Sequence, residues 1–269
     1  MCRFLGVVSR EPQTMAEAVG PAMSSFVELS RGIHADGWGV AWDEGGEFRS
    51  TRSTSSAHSD SSFSQAISNT KTTAAIAHLR AATMGIPVSM ANTHPFLADS
   101  LAFCHNGSIH DMTALSSLLQ LASLNQVHGT TDSELYFRAI AEQVDAITEQ
   151  IDDSSIAEAV ASAIRRIQAI SPYSGLNALV MHPDTVVAVS AYDMHAPEGQ
   201  PDDYYHLYYR AWAENVVVAS TGWLSEEWTM LPNNSVLTID RASLDISITD
   251  IATGRDLPAP SHLIELQRE

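Results

Sequence analysis

Short apolar blocks with β-prone residues open and close this chain, and helical periodicity fills the stretch between them. The run over residues 3–9 predicts a strand that begins almost at the first residue. Residues 15–30 have helical character, broken at Gly20-Pro21. Asp36-Gly37 reads as a turn leading into a strand over 38–42, and buried strands are predicted over 74–80 and 101–105. Apolar residues three and four apart predict helices over 111–121, 132–150 and 153–170, with Asp111 and Asp132 at helix starts. Beyond Pro172 strands return over 176–181, 186–192, 206–210, 216–220, 236–239 and 244–248, separated by Gly, Pro and Asn-Asn turns. Residues 50–64 hold eight Ser and two Thr and predict a solvated, mobile loop. No repeat or boundary interrupts the pattern, so one domain is expected over 2–269. Its order of strands, helices and more strands indicates the α+β class.

Composition narrows the partners. The chain has 269 residues, 14 Lys+Arg against 32 Asp+Glu and a formal charge of -18. Charge of this sign disfavours nucleic-acid backbones and anionic membrane surfaces, so no nucleic acid and no membrane are expected. Two cysteines make no disulfide framework, and a reducing compartment is the simpler expectation. The first twenty residues carry Arg3, Arg10, Glu11 and Glu17 without a long apolar centre, unlike a secretory signal. A cytoplasmic location is expected.

Four places in the sequence could carry chemistry. Loss of Met1 would leave Cys2 with a thiol and a free α-amine. Ordinary pKa values of about 8.5 and about 7.7–8.0 let such a pair exchange a proton near neutrality. Asn106-Gly107 is either a hairpin turn or an oxyanion hole, built from the amide side chain and the glycine N–H. Arg80 is either a solvated or ion-paired strand end or a fork for a carboxylate. Asp132 is either a helix cap, with Ser133 and Glu134 in the first turn, or a counter-ion for an ammonium. Taken together they fit a γ-glutamyl group, which offers an α-carboxylate, an α-ammonium and a distant γ-carbonyl. Such a small molecule is the expected substrate.

At these residues the sequence resembles the class II glutamine amidotransferases of the N-terminal nucleophile hydrolase superfamily. The matching pieces are Met1-Cys2-Arg3, Asp36-Gly37-Trp38-Gly39, His78-Leu79-Arg80, Asn92-Thr93-His94-Pro95-Phe96, His105-Asn106-Gly107 and Thr131-Asp132-Ser133-Glu134. It looks most like the short stand-alone bacterial type, related to the hydrolase that removes glutamate from a γ-glutamyl intermediate of ergothioneine biosynthesis. The resemblance implies an αββα sandwich of two mainly antiparallel sheets between helical layers, with Cys2 at the start of a central strand. It also implies Cys2 as nucleophile with its α-amine as base, Asn106 and Gly107 as the oxyanion hole, and Arg80 and Asp132 as ligands of the glutamyl carboxylate and amine. Arg80-Ala81-Ala82-Thr83 departs from the pattern by lacking the aromatic that usually follows the arginine in the sugar-phosphate and purine-pathway members.

The expected function is hydrolysis of glutamine or a γ-glutamyl conjugate. The alternatives are a glutaminase subunit feeding ammonia to a separate synthase, and a catalytically silent binding domain. A bile-salt or penicillin-type amidase ranks low, because residues 16–22 hold neither Arg nor Asp. His34, His78, His94 and His105 gather near the motifs without metal-ligand spacing, so no metal or cofactor is expected. They read as hydrogen-bonded histidines lining or bracing the pocket, with His94 and His105 assigned to substrate binding. Cys104 reads as a buried small hydrophobe, and Tyr204, Tyr205, Tyr208, Tyr209 and Trp212 read as sheet packing or, alternatively, as a rim that meets an acceptor or partner.

Overall fold

The computed structural model describes residues 2–98, 100–147, 153–195, 201–224 and 228–258. The ends of the expected helix over 132–150 and of the expected domain therefore fall outside the described residues. In chain order the first half comprises β1 (Arg3–Gln13), α1 (Met15–Val19), α2 (Met23–Glu28), β2 (Trp38–Glu44), β3 (Glu47–Ser53), α3 (Ser61–Asn69), β4 (Thr72–Leu79), β5 (Phe96–Ala98) and β6 (Leu101–Ile109). Four helices follow: α4 (Met112–Ser117), α5 (Leu121–Leu124), α6 (Asp132–Asp145) and α7 (Asp153–Gln168). The rest is β7 (Tyr173–Met181), β8 (Thr185–Ser190), β9 (Leu207–Ala211), β10 (Asn215–Ser220), β11 (Thr229–Met230), β12 (Ser235–Asp240) and β13 (Ile246–Asp250).

Two antiparallel sheets result, ordered β11-β9-β10-β1-β4-β2-β3 and β13-β12-β8-β7-β6-β5. Side chains alternate across each strand, so both sheets bury two faces. Phe4, Val8 and Ile76 of the first sheet meet Cys104, Leu179 and Leu237 of the second between the layers. Leu5, Val7 and Ala77 face outward onto α1, α2 and α3. Phe103, Leu176 and Val180 face outward onto α6 and α7. This is the αββα sandwich, α+β in class. It places β1 fourth of seven strands, with β4 and β10 as its neighbours.

Several expectations are corrected. Residues 50–64 are not a loop: they end β3, form a short 3-10 turn and begin α3. Composition misled because β3 is an edge strand that needs little apolar surface. Asp60 caps α3 by accepting from Ser62 N–H at 2.9 Å, and Phe63, Ala66 and Ile67 bury one face. Asn106-Gly107 is no hairpin turn either, since β6 runs straight through it. Thr131, not Asp132, caps α6 through Glu134 N–H at 3.2 Å. The helix expected over 111–121 divides into α4 and α5, whereas the break at Gly20-Pro21 is present as expected. The last strand begins two residues later than 244, after Leu244 adopts a φ of 67°.

Far from the chain start, one buried ion pair ties the sheets together. Arg241, just past β12, meets Asp43 of β2 at 2.6 Å and also donates to the His182 and Pro183 carbonyls. Breaking a buried pair costs about 3–5 kcal/mol. Arg241→Ala is therefore expected to lower the melting temperature by on the order of 10 °C. It should leave the activity per folded molecule unchanged, as thermal unfolding followed by an assay of the folded fraction will show.

Candidate active site

Cys2 stands at the open end of β1, half-buried. The register Arg3↔Leu79 brings it level with the end of β4, and its thiol donates to the Ala81 carbonyl at 3.7 Å. Ser220 of β10 holds the other flank, accepting from Phe4 N–H at 3.0 Å. Burial pushes the Cys2 thiol up from its ordinary pKa, while the Ala81 hydrogen bond and the Arg80 and Arg3 charges act the other way. The resting sulfur is thus a protonated thiol, and a nucleophile here needs a base.

Arg80 follows β4 immediately. Its N–H donates to the Gly37 carbonyl at 2.8 Å, and Asp36 N–H donates to the Arg80 carbonyl at 3.1 Å. Residue 37 must be glycine, because φ is 136° and a Cβ would lie 2.9 Å from the Ser53 carbonyl. The Arg80 side chain is 4% exposed. Nη2 donates to the Pro87 carbonyl at 3.1 Å, while Nη1 is buried without a partner. Asn92 donates to the same carbonyl at 3.1 Å and accepts from Thr130 N–H at 2.8 Å. Asn92, to which the sequence assigns no individual role, therefore couples the loop around Arg80 to the start of α6.

The second sheet contributes Asn106 and Gly107. Asn106 shares the inward face of β6 with Cys104 and is 1% exposed, yet neither Nδ2 nor Oδ1 has a partner. A buried amide with all its hydrogen bonds unspent is costly, and such groups concentrate where a ligand completes them. Glycine is required next to it, because a Cβ on residue 107 would stand 1.8 Å from the Gly175 carbonyl. One hydrogen bond brings this strand to Arg80: His78 Nε2 of β4 donates to the His105 carbonyl of β6 at 3.2 Å. Asp132 sits at the far end of β6, accepting from Ile109 N–H at 2.6 Å and from Ser133 N–H at 2.9 Å.

The two histidines expected to bind substrate play different parts. His105 accepts from the Ser133 hydroxyl at Nδ1 (2.9 Å) and donates to the Gly175 carbonyl at Nε2 (3.0 Å), so it braces β6 against α6 and β7 with no nitrogen left for a ligand. His94 packs at a tilt against His78 with ring centres 4.3 Å apart and against Phe96 at 4.6 Å, and both of its nitrogens are buried without a partner. Spacing along the chain locates a residue near a motif but does not give the direction of its ring. Sequence reasoning also misses Arg3. It donates from Nη1 to the Cys2 carbonyl at 2.9 Å and lies 5.2 Å from the Tyr204 ring centre. A basic residue next to the candidate nucleophile is the signal that could have found it. Cys104 is fully buried between the sheets. Among the described residues no group of three His, Cys, Asp or Glu side chains could hold a metal ion, and no helix is long and apolar enough to cross a membrane.

A family model described as glutamine amidotransferases class-II matches residues 1–208. The probable glutamine amidotransferase DUG3 of Saccharomyces cerevisiae is 29% identical over 168 residues, which cover 55% of this chain and 46% of that protein. A γ-glutamyl-hercynylcysteine sulfoxide hydrolase of Mycobacterium tuberculosis is 28% identical over 116 residues, covering 40% of this chain and 50% of the relative. The match thus spans about half the length of each of these relatives. Among solved structures, a glutamine aminotransferase class-II domain protein of Silicibacter pomeroyi superposes with a TM-score of 0.65 at 23% identity, covering 93% of this chain and 99% of the other. That likeness is one of fold.

The buried histidines make stability depend on acid. Burial holds His78 down to about 3, and it also lowers His94 and His105. Each is neutral when folded and takes a proton below about 6.5 when unfolded, so unfolding gains protons as the pH falls. Stability is fully present above pH ~6.5 and declines below it, by up to ~1.4 kcal/mol per pH unit for each histidine. His78→Gln should remove one such increment from the slope of unfolding free energy between about pH 6 and pH 4, measured by urea titration.

Proposed function

The chain belongs to the class II glutamine amidotransferases, and from that premise we propose that it hydrolyses the γ-glutamyl amide of glutamine or of a γ-glutamyl conjugate. One domain over 2–269 carries the reaction, through a γ-glutamyl thioester on Cys2. The observation that carries the reading is Asn106, a buried carboxamide whose donor and acceptor are both unspent, one residue after the His105 carbonyl that His78 of β4 holds.

Arg80 offers its unpartnered Nη1 to the substrate α-carboxylate, and Asp132 keeps lone pairs for the α-ammonium. Removal of Met1 frees the Cys2 α-amine, which takes the thiol proton as sulfur forms its bond to the γ-carbon. Asn106 Nδ2 and Gly107 N–H receive the charge that develops on the carbonyl oxygen. The ammonium then gives its proton to the leaving nitrogen as the C–N bond breaks, releasing ammonia or the amine of a conjugate. Water, deprotonated by the same amine, attacks the thioester; glutamate leaves and the thiol is restored. A γ-glutamyl conjugate stays beside glutamine as substrate because a similar protein bears the name of a γ-glutamyl conjugate hydrolase. A separate synthase that receives the ammonia is the competing arrangement, and high activity of the isolated chain in the assays below would decide against it.

Steady-state assays of the purified chain test this reading with glutamine and a panel of γ-glutamyl amides. Cys2→Ala should abolish turnover. Asn106→Ala should lower kcat by about 10²–10³ with KM within a few fold, since one oxyanion donor contributes roughly 3 kcal/mol in the transition state only. Arg80→Lys should act mainly on KM, raising it on the order of tenfold through loss of the two-pronged grip. Turnover retained by Cys2→Ala, or an Asn106→Ala effect confined to KM, would overturn the proposal.

A further inference from the structure

Beside the candidate nucleophile lies a second buried cation that substrate recognition does not use. Arg3 is 6% exposed, and its Nε is buried without a partner. Among the described residues no carboxylate forms an ion pair with it; Asp203 acts on it only through space. A guanidinium withdrawn from water without a counter-ion costs stability rather than adding it. The surroundings nevertheless accommodate this one closely. Its Nη1 turns back to the Cys2 carbonyl at 2.9 Å, and the Tyr204 ring lies under the guanidinium. Gly222, at φ 102°, leaves the space in which a Cβ would come within 3.4 Å of Nε. The Tyr204 segment is anchored in turn, with Asn177 donating to the Tyr205 carbonyl at 2.5 Å and Thr221 donating to Asp203 at 2.8 Å.

We propose that Arg3 is the positioning residue of the nucleophile, fixing the Cys2 main chain through its carbonyl and keeping the adjacent α-nitrogen uncharged so that it can accept the thiol proton. This inference rests on the reading of Cys2 as a processed N-terminal nucleophile. The physical basis is simple. A positive charge held close to an amine disfavours the ammonium form and leaves the free base populated at neutral pH. The groups that face Cys2 from each packed element support this balance. They are Arg3 on its own strand, Arg80 after β4, Cys104 from β6 and Tyr204 from the segment before β9. Both guanidiniums are positive, while Asp36 and Asp203 act on the arginines without pairing with either among the described residues. Because burial keeps the thiol protonated, loss of Arg3 leaves the first step a smaller fraction of neutral amine to work with.

The test is to titrate the Cys2 α-amine by pulse acetylation across pH, read by mass spectrometry of the N-terminal peptide, alongside the pH profile of kcat/KM. Wild type, Arg3→Gln and Arg3→Lys are compared. Arg3→Gln should displace both the labelling curve and the acid limb of kcat/KM upward by about one pH unit, lower kcat and leave KM for glutamine within about threefold. Arg3→Lys keeps the charge but not the fork, so its curves should stay within a few tenths of a unit of wild type while kcat falls. A role in folding alone would lower the yield of native protein without moving either curve. Coincident curves for wild type and Arg3→Gln would overturn the proposal. Should Arg3→Gln not fold, an upward displacement of half a unit or more in Arg3→Lys would do so. Failure of the underlying reading looks different: Cys2→Ala would stay active, or no free Cys2 amine would be labelled in wild type.

Discussion

Everything proposed for this site depends on where two sheets meet at one end of the sandwich, and the hydrogen bond from His78 Nε2 to the His105 carbonyl fixes that meeting. The donor lies two residues before Arg80 and the acceptor one residue before Asn106. The bond therefore sets the spacing between the strand ends that carry Cys2 and Arg80 and the strand that carries the unpartnered amide. Burial keeps His78 neutral, so the bond is a neutral one, with the proton on Nε2 because a carbonyl can only accept. The His94 ring packed on His78 and the double brace of His105 to Ser133 and Gly175 hold both partners from behind.

Buried polar groups around this joint are satisfied to different degrees. Asn177 is spent on Tyr205 and Ala191, Asn92 on Pro87 and Thr130, and Glu134 on the N–H groups of His128 and Gly129. Elsewhere single atoms such as Ser190 Oγ, the Tyr209 hydroxyl and Arg241 Nε have no partner. Near Cys2, Asn106 retains its whole capacity, Arg80 retains Nη1 and Arg3 retains Nε. Stability alone favours satisfying or replacing such groups. The unspent Asn106 amide and Arg80 Nη1, next to glycines that admit close backbone approach at 37 and 107, fit a site completed by a polar ligand with a carboxylate and a carbonyl.

Much of this is legible in the sequence, for reasons that differ by residue. Ordered motifs place Cys2 and Arg80 at strand ends and Asp132 at a helix start, because strand period and helix onset are local properties, whereas Asn106 and Gly107 lie inside β6, past the strand end that the sequence indicates. The sandwich itself follows from the family resemblance, and the two inward-facing stripes, such as Phe4, Val8 and Ile76, accord with it. Directions are not legible. His94 and His105 point into packed interiors because the opposite sheet and α6 decide it, and neither neighbour is close in sequence. The 50–64 stretch deceives by composition, since an edge strand and a capped short helix tolerate serine where a central strand does not. Arg3 takes its place only through the return of the Tyr204 segment two hundred residues later.

The central claim is that Cys2, freed of Met1, is a nucleophile directed at a γ-glutamyl carbonyl. Intact mass of the purified protein, before and after incubation with 6-diazo-5-oxo-norleucine, tests it most directly. The account predicts a chain lacking Met1 that gains one stable adduct, mapped to Cys2 and absent in Cys2→Ala. A chain that keeps Met1 and takes up no adduct, or an adduct that persists in Cys2→Ala, would contradict it.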